Sequence, residues 1–282
     1  MPSQRHKDIE ILDRLGEWEQ REGSLPQFVE LYRDLVRLQV EAGSRVALPE
    51  PHLTQEAATG RVREGLPLLG FEDVRLDWGL VQDQFQAVTD ILGGHLVPEA
   101  GDTQALADLA RNMPLLQQVA RDWYQGVSLA NTAAERCVTE ELLNVVIQSA
   151  LRPFLVAHAE ALLPLVKQEL WRRRYCPICG GKADFAFLDK ERGARWLLCS
   201  RCDTEWLFQR IECPYCGTQN QKSLSFLTDE QELYRLYTCE ECRAYIKAID
   251  LRKTQAEVLL PLERIVTADL DRQAEEAGYR PG

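Results

Sequence analysis

Residues 199–217 read CSRCDTEWLFQRIECPYCG, two CxxC pairs with ten residues between them. Whether these four sulfurs share one ion or join two separate sites decides the fold of the region. A CxxC turn points both thiolates at one ion, and two such turns complete the tetrahedral four-thiolate shell that zinc favours and iron also accepts. Two further pairs, CPICG at 176–180 and CEECR at 239–243, leave gaps of 19, 10 and 22 residues between successive pairs. The first and third gaps each hold an alternating run, a turn and a second alternating run, which is a hairpin returning the chain to the ion. The middle gap, 203–212, has no Gly, Pro or Asn, and ten extended residues span roughly 33 Å. The reading is two sites, with Cys176, Cys179, Cys199 and Cys202 at one and Cys213, Cys216, Cys239 and Cys242 at the other. Spacing leaves open a pairing crossed between the modules.

The region is then an internal repeat of knuckle, hairpin, knuckle and exit strand, used twice. Each half is too small for a core of its own, so a bound ion would supply much of its folding free energy. CPICG and CPYCG carry a Gly after the second Cys, where a positive φ is eased, whereas CSRCD and CEECR do not. Along the first exit strand Trp206, Phe208 and Arg210 share one face. That face either packs inward or, as its aromatic and arginine content suits an interface centre, meets a partner. Four thiolates fill a tetrahedral ion, so the pattern excludes hydrolytic zinc chemistry, which needs an open position. None of the four histidines, His6, His52, His95 and His158, lies near a CxxC, and no nucleophile triad, phosphate loop or dinucleotide fingerprint emerges. His158, on an apolar helix face, reads as a hydrogen-bonded core residue.

The chain has 282 residues, 45% of them apolar, enough for a core, and a net charge of -11. The charge is uneven: residues 171–253 hold 15 Lys and Arg against 12 Asp and Glu, the remainder 18 against 32. So slight a basic excess argues against a nucleic-acid surface. The start, MPSQRHKDIEILDRL, lacks the pattern of a secretory signal, and no window reads as a membrane span, so a soluble cytoplasmic protein without membrane insertion is expected. Paired cysteines in such a setting point to metal thiolate rather than disulfides. The ninth, Cys137, falls in a helical pattern and reads as a small buried hydrophobe.

Residues 8–170 read as helical almost throughout. In SLPQFVELYRDLVRLQVEAG a stripe of Phe28, Leu31, Leu35 and Leu38 predicts a core face; in DWGLVQDQFQAVTDILGG, Asp77 is the cap and Val81, Phe85, Val88 and Leu92 the face. A third helix begins at Asp102 and is interrupted by Pro114, and the stretch 132–171 is divided or kinked by Pro153 and Pro164. Residues 40–76 suggest loops with short helices, and 254–278 a returning helix marked by Pro261 and ended by Gly278.

CPICGG, WLLCSRCDTEWLFQRIECPYCG and YTCEECRAYIKAID together resemble the FdhE family, accessory proteins for the formation of active formate dehydrogenase. GLPLLG (65–70) and ADLDRQAEEAGYR (268–280) extend the resemblance over most of the chain. It implies an α+β fold: a helical domain over 1–170, rubredoxin-like or zinc-ribbon four-cysteine modules over 171–211 and 212–253, and a C-terminal helix over 254–282. It implies no enzyme but a maturation chaperone that binds the formate dehydrogenase catalytic subunit in the cytoplasm. The eight paired cysteines would be ligands, with iron at each site, although spacing alone would default to zinc. Glu205, Trp206 and Arg210 become candidates for client or module contacts. The short end after Tyr279 departs from longer relatives and puts a C-terminal tail function in doubt. The competing classes are a rubredoxin-like electron-transfer protein and a zinc-ribbon binding module. Self-association stays open.

Overall fold

The structure, a computed structural model, describes residues 4–95 and 102–282. Its contacts form two compact units, Met1–Glu50 with Gly70–Glu160, and Pro51–Leu69 with Ala161–Gly282. The first holds α1 (Gln4–Glu22) and α2 (Gln27–Arg45). The short α3 (Gln55–Glu64) belongs to the second unit. The first continues with α4 (Trp78–His95), α5 (Asp102–Arg111), α6 (Met113–Gln125), α7 (Ala130–Glu135) and most of α8 (Glu140–Leu162).

The helix starts follow local chemistry. Asp77 Oδ1 accepts from the N–H groups of Gly79 and Leu80 at 3.0 and 3.1 Å, capping α4. Val81, Phe85, Val88 and Leu92 are all buried, as the spacing predicts. Asn112 caps α6, and Pro114 sits in its first turn, where no N–H is required. In α2 the buried face is Val29, Val36 and Ala42, not the predicted stripe, and Phe28 is 46% exposed. The helix carries apolar residues on two adjacent stripes, and apolar content alone does not choose between them.

Pro153 lies inside α8 and lacks the N–H that would reach the Ser149 carbonyl. Gln39 Nε2 on α2 donates to that carbonyl instead, at 2.8 Å, so the helix continues past the proline. Asp8 on α1 takes two hydrogen bonds from Arg152, at 3.0 and 3.1 Å, in a nearly buried pair. His158 is buried as expected: its Nδ1 donates to the Phe154 carbonyl and its Nε2 accepts from the Arg75 N–H, at 2.8 and 3.1 Å, which defines a neutral tautomer. Cys137 departs from expectation. It is exposed at φ 56° just beyond α7, where Val138 N–H reaches back to the Ala133 carbonyl and closes the helix. A segment over Glu140–Leu165 does have the length and apolarity of a membrane span, contrary to the sequence reading, but 56% of its apolar window is buried in the protein, as in a core helix.

The second unit is built on one sheet. Its strands are β1 (Ala183–Leu188), β2 (Arg195–Cys199), β3 (Glu205–Leu207), β4 (Leu224–Thr228), β5 (Tyr234–Cys239), β6 (Ala244–Asp250) and the short β7 (Arg280–Pro281). The order is β3-β2-β1-β6-β5-β4, with β7 beside the start of β6. The repeat is visible: β1–β2 and β4–β5 are antiparallel hairpins, and each exit strand, β3 or β6, returns beside the second strand of its hairpin. Phe185–Leu188 then pairs in parallel with Lys247–Asp250, so the segments read as separate modules at 171–211 and 212–253 share a continuous sheet. Every residue of β6 is buried, as befits a strand with neighbours on both sides.

Paired residues share a face. Phe185, Phe187, Leu198, Lys247, Ile249 and Leu236 therefore lie on one side, which α9 (Leu260–Val266) and α10 (Ala268–Glu276) cover through Leu260 and Ala274. The predicted single C-terminal helix is two, breaking at Thr267, whose hydroxyl turns back to the Glu263 carbonyl. Lys247 is buried on the covered face. Its ammonium donates to the Arg264 carbonyl at 2.7 Å and meets Asp271 at 2.5 Å, which satisfies the charge and the end of α9 together.

Candidate metal centres

Each CxxC begins a turn closed by backbone. Cys176 N–H donates to the Gly181 carbonyl, Cys199 to Thr204 and Cys213 to Thr218, at 2.8 to 3.0 Å. The residue after each second cysteine takes a left-handed conformation: Gly180 at φ 72°, Asp203 at 53°, Gly217 at 80° and Arg243 at 56°. Two of the four are not glycine, and both are held by C-terminal residues. The Asp203 carboxylate, almost fully buried, accepts from Arg264 at 2.9 Å, and the same guanidinium reaches the Cys199 carbonyl. Arg243 donates to the Ala277 carbonyl at 3.1 Å and lies 4.2 Å from the Tyr279 ring centroid. These partners offset the strain of left-handed residues bearing a side chain. Gly181 is needed for a different reason, since a Cβ there would lie 3.1 Å from Cys199 Sγ.

The turns bring the sulfurs into two groups, Cys176, Cys179, Cys199 and Cys202, and Cys213, Cys216, Cys239 and Cys242, with the atoms of each group within 4.8 Å of one another. In the first, Cys176–Cys202 is 3.7 Å and Cys179 is 3.5 Å from both Cys199 and Cys202; in the second, Cys213–Cys242 and Cys216–Cys239 are both 3.7 Å. A tetrahedral ion with sulfur bonds of about 2.3 Å sets its ligands about 3.8 Å apart, whereas a disulfide needs about 2.05 Å. The spacing therefore fits four-thiolate ligation, and each group could hold a metal ion. The donor set suits zinc and iron alike.

The two groups differ in access. All four sulfurs of the first belong to buried residues, and Ile178 and Arg201 N–H groups point at Cys176 and Cys199 sulfurs at 3.4 Å. Burial first, and then the sulfurs of Cys179, Cys199 and Cys202, push the Cys176 thiol well up, so four thiolates can coexist there only around a cation. In the second group Cys216 is exposed and Cys242 half-buried. Burial opposes ionisation of Cys216, but the Thr218 backbone and the neighbouring thiols outweigh it and bring that thiol below its ordinary range.

The joint between the groups is shorter than a ten-residue strand. Only Glu205–Leu207 pairs as β3, and the chain then turns at Arg210–Ile211. The sequence reading missed Arg195, which makes this turn. Its buried guanidinium donates to the carbonyls of Gln209 and Glu212 and lies 5.2 and 5.7 Å from the Phe208 and Tyr237 ring centroids. Burial brings Arg195 down to about 10, so it stays charged at neutral pH. Trp206 is fully buried and its indole N–H donates to the Arg173 carbonyl at 3.0 Å, the inward of the two readings for its face. Glu205 is half-buried on β3, while Arg210 is exposed beside a groove lined also by Ile211, Leu224, Phe226 and Tyr237. The GLPLLG stretch lies against the first knuckle: Leu68 and Leu69 N–H groups donate to the Pro177 and Ile178 carbonyls, both at 2.9 Å.

Residues 175–210 match the family description "FdhE, central domain". A "Protein FdhE homolog" of Aquifex aeolicus is 37% identical over 157 residues, which is 54% of this chain and 54% of that protein, so the match spans about half of each. Another, of Shewanella oneidensis, is 27% identical over 255 residues, 89% of this chain and 76% of the relative. The crystal structure of the FdhE protein from Pseudomonas aeruginosa matches with a TM-score of 0.63 over 100% of this chain and 94% of that one, at 23% identity, and so shares the fold. Knuckle sequence, order of elements and fold thus all make the chain similar to the FdhE proteins.

Proposed function

We propose that this chain is a non-enzymatic maturation factor for formate dehydrogenase, acting in the cytoplasm by binding the catalytic subunit through its metal-containing region. The observation that carries the reading is the pair of four-cysteine clusters on a single sheet, in a chain whose residues 175–210 match the FdhE central domain. Four sulfurs at tetrahedral spacing leave no coordination position for substrate, which suits a structural or electron-carrying ion rather than a hydrolytic one. The eight clustered cysteines are the ligands in this reading, with iron implied by the family resemblance and zinc the default without it. Glu205 and Arg210 are contacts to the client, and Trp206 holds the joint behind them.

The test is co-purification with a formate dehydrogenase catalytic subunit. Capture is expected for the metal-loaded protein and is lost when Cys176 and Cys179 become Ser. Equal capture by a metal-depleted but folded protein would contradict the role given to the clusters. The exposed position of Cys216 favours a second reading, electron transfer from the second site. Reversible bleaching of thiolate-to-iron absorption supports it, and a colourless two-zinc protein isolated anaerobically contradicts it.

A further inference from the structure

The two edges of the sheet are finished differently. At β3, Gln168 Nε2 donates to the Glu205 carbonyl and its Oε1 accepts from the Leu207 N–H, both at 3.3 Å, so a side chain caps the edge. At β4 no such cap exists among the described residues. Asp229 N–H donates to the Tyr234 carbonyl and Glu240 N–H to the Ser223 carbonyl, which sets the alternation of the β4–β5 ladder. Ser225 and Leu227 then turn their backbone groups toward β5, while Leu224, Phe226 and Thr228 turn theirs outward.

This open edge, LSFLT, carries no charge, no proline and no bulge, the devices that ordinarily discourage strand addition. It is also apolar on both faces, with Phe226 50% and Leu227 63% exposed. On the Phe226 side it borders the groove of about 220 Å³ lined by Arg210, Ile211, Gln221, Leu224 and Tyr237. Ile211 is 51% exposed, and Arg210 has no carboxylate partner among the described residues. An arginine without a carboxylate partner beside an apolar edge marks the chemistry of what would lie there.

We infer that β4 is a docking edge for an extended segment of the client, added as a further strand, with apolar side chains against Phe226 and Ile211 and a carboxylate toward Arg210. Main-chain hydrogen bonds to Phe226 and Thr228 supply affinity, and the groove supplies selection. The inference rests on the client reading above and places its contact on the sheet edge next to the second metal site.

The experiment is hydrogen exchange, resolved to single amides, of the full metal-loaded chain with and without purified formate dehydrogenase catalytic subunit. The outward amides of Phe226 and Thr228 should exchange freely alone and become protected in the complex. Thr228→Pro removes an outward N–H that the sheet does not use, so it should weaken capture about ten-fold while leaving the thermal transition unchanged. Arg210→Glu should weaken it as well. A complex that forms with protection elsewhere and full tolerance of Thr228→Pro overturns the edge assignment but leaves the client reading intact. Absence of any complex overturns both. Protection that appears without client and grows with the chain's own concentration assigns the edge to a second copy and overturns the inference.

Discussion

Asp203 and Arg243 show how a knuckle tolerates a side chain where glycine is the easier choice. Both sit at positive φ, and both are tied to the C-terminal segment, Asp203 through Arg264 and Arg243 through the carbonyl of Ala277. Replacing Arg264 by Met should cost about 3–5 kcal/mol, because it removes the cation paired with the buried Asp203 carboxylate. Adding Asp203→Asn, which keeps a left-handed-tolerant residue without the charge, should recover part of that loss in urea unfolding of the metal-loaded protein. Asp250 makes a pH-dependent contribution. Burial works to raise its carboxyl, but hydrogen bonds and charge from Arg252, with charge from Arg235, outweigh this and hold it below the usual carboxylate range. Its folded value lies below the unfolded one, so its stabilisation is complete above the unfolded value of about 3.9 and fades as pH falls through the depressed one. Wild type should therefore exceed Asp250→Asn in stability at neutral pH, with the gap closing in acid below about pH 4.

At the scale of elements, the carbonyl that the proline in α8 leaves without its helical donor is served by a neighbour. If Gln39 stands in for the missing N–H at Ser149, Gln39→Leu should cost about 1–2 kcal/mol in the wild type and less beside Pro153→Ala, where the helix supplies its own donor. A double-mutant cycle in denaturant measures the coupling, and additive losses would contradict it. The elements legible in the sequence are those with local signals. Cys-x-x-Cys spacing, the alternation of KADFAFLD or ELYRLYTC and the Asp77 cap each depend on a few adjacent residues, and each hairpin and knuckle stands where those signals put it. Elements set by distant partners were not legible. Nothing near Phe185 announces that it will pair with Lys247, and nothing near Lys247 says that helix-end carbonyls will make its burial tolerable. The buried face of α2 and the exposure of Cys137 failed for the same reason, since packing and a helix-ending turn decided them. Arg195 had a weak signal, a cation in the otherwise apolar run RWLLC, but its partners lie 14 and 17 residues on.

At the scale of the molecule, two repeats of one plan are fused by the parallel β1–β6 pairing, and their four-cysteine clusters differ in access. The second centre, with Cys216 exposed, should yield to a chelator or thiol reagent before the first, giving two kinetic phases in metal release. Because the sheet is continuous, emptying the second centre should also lower the unfolding midpoint of the first, whereas independent modules would leave it unchanged. Throughout, eight cysteines form two four-sulfur centres, one within each repeat, and the metal content of the chain follows from this. Native mass spectrometry of anaerobically prepared protein tests it most directly. Two metal ions per chain are expected with all cysteines reduced, and one ion per chain when Cys216 and Cys242 become Ser. A chain carrying a single ion, or disulfides in place of metal, would contradict it.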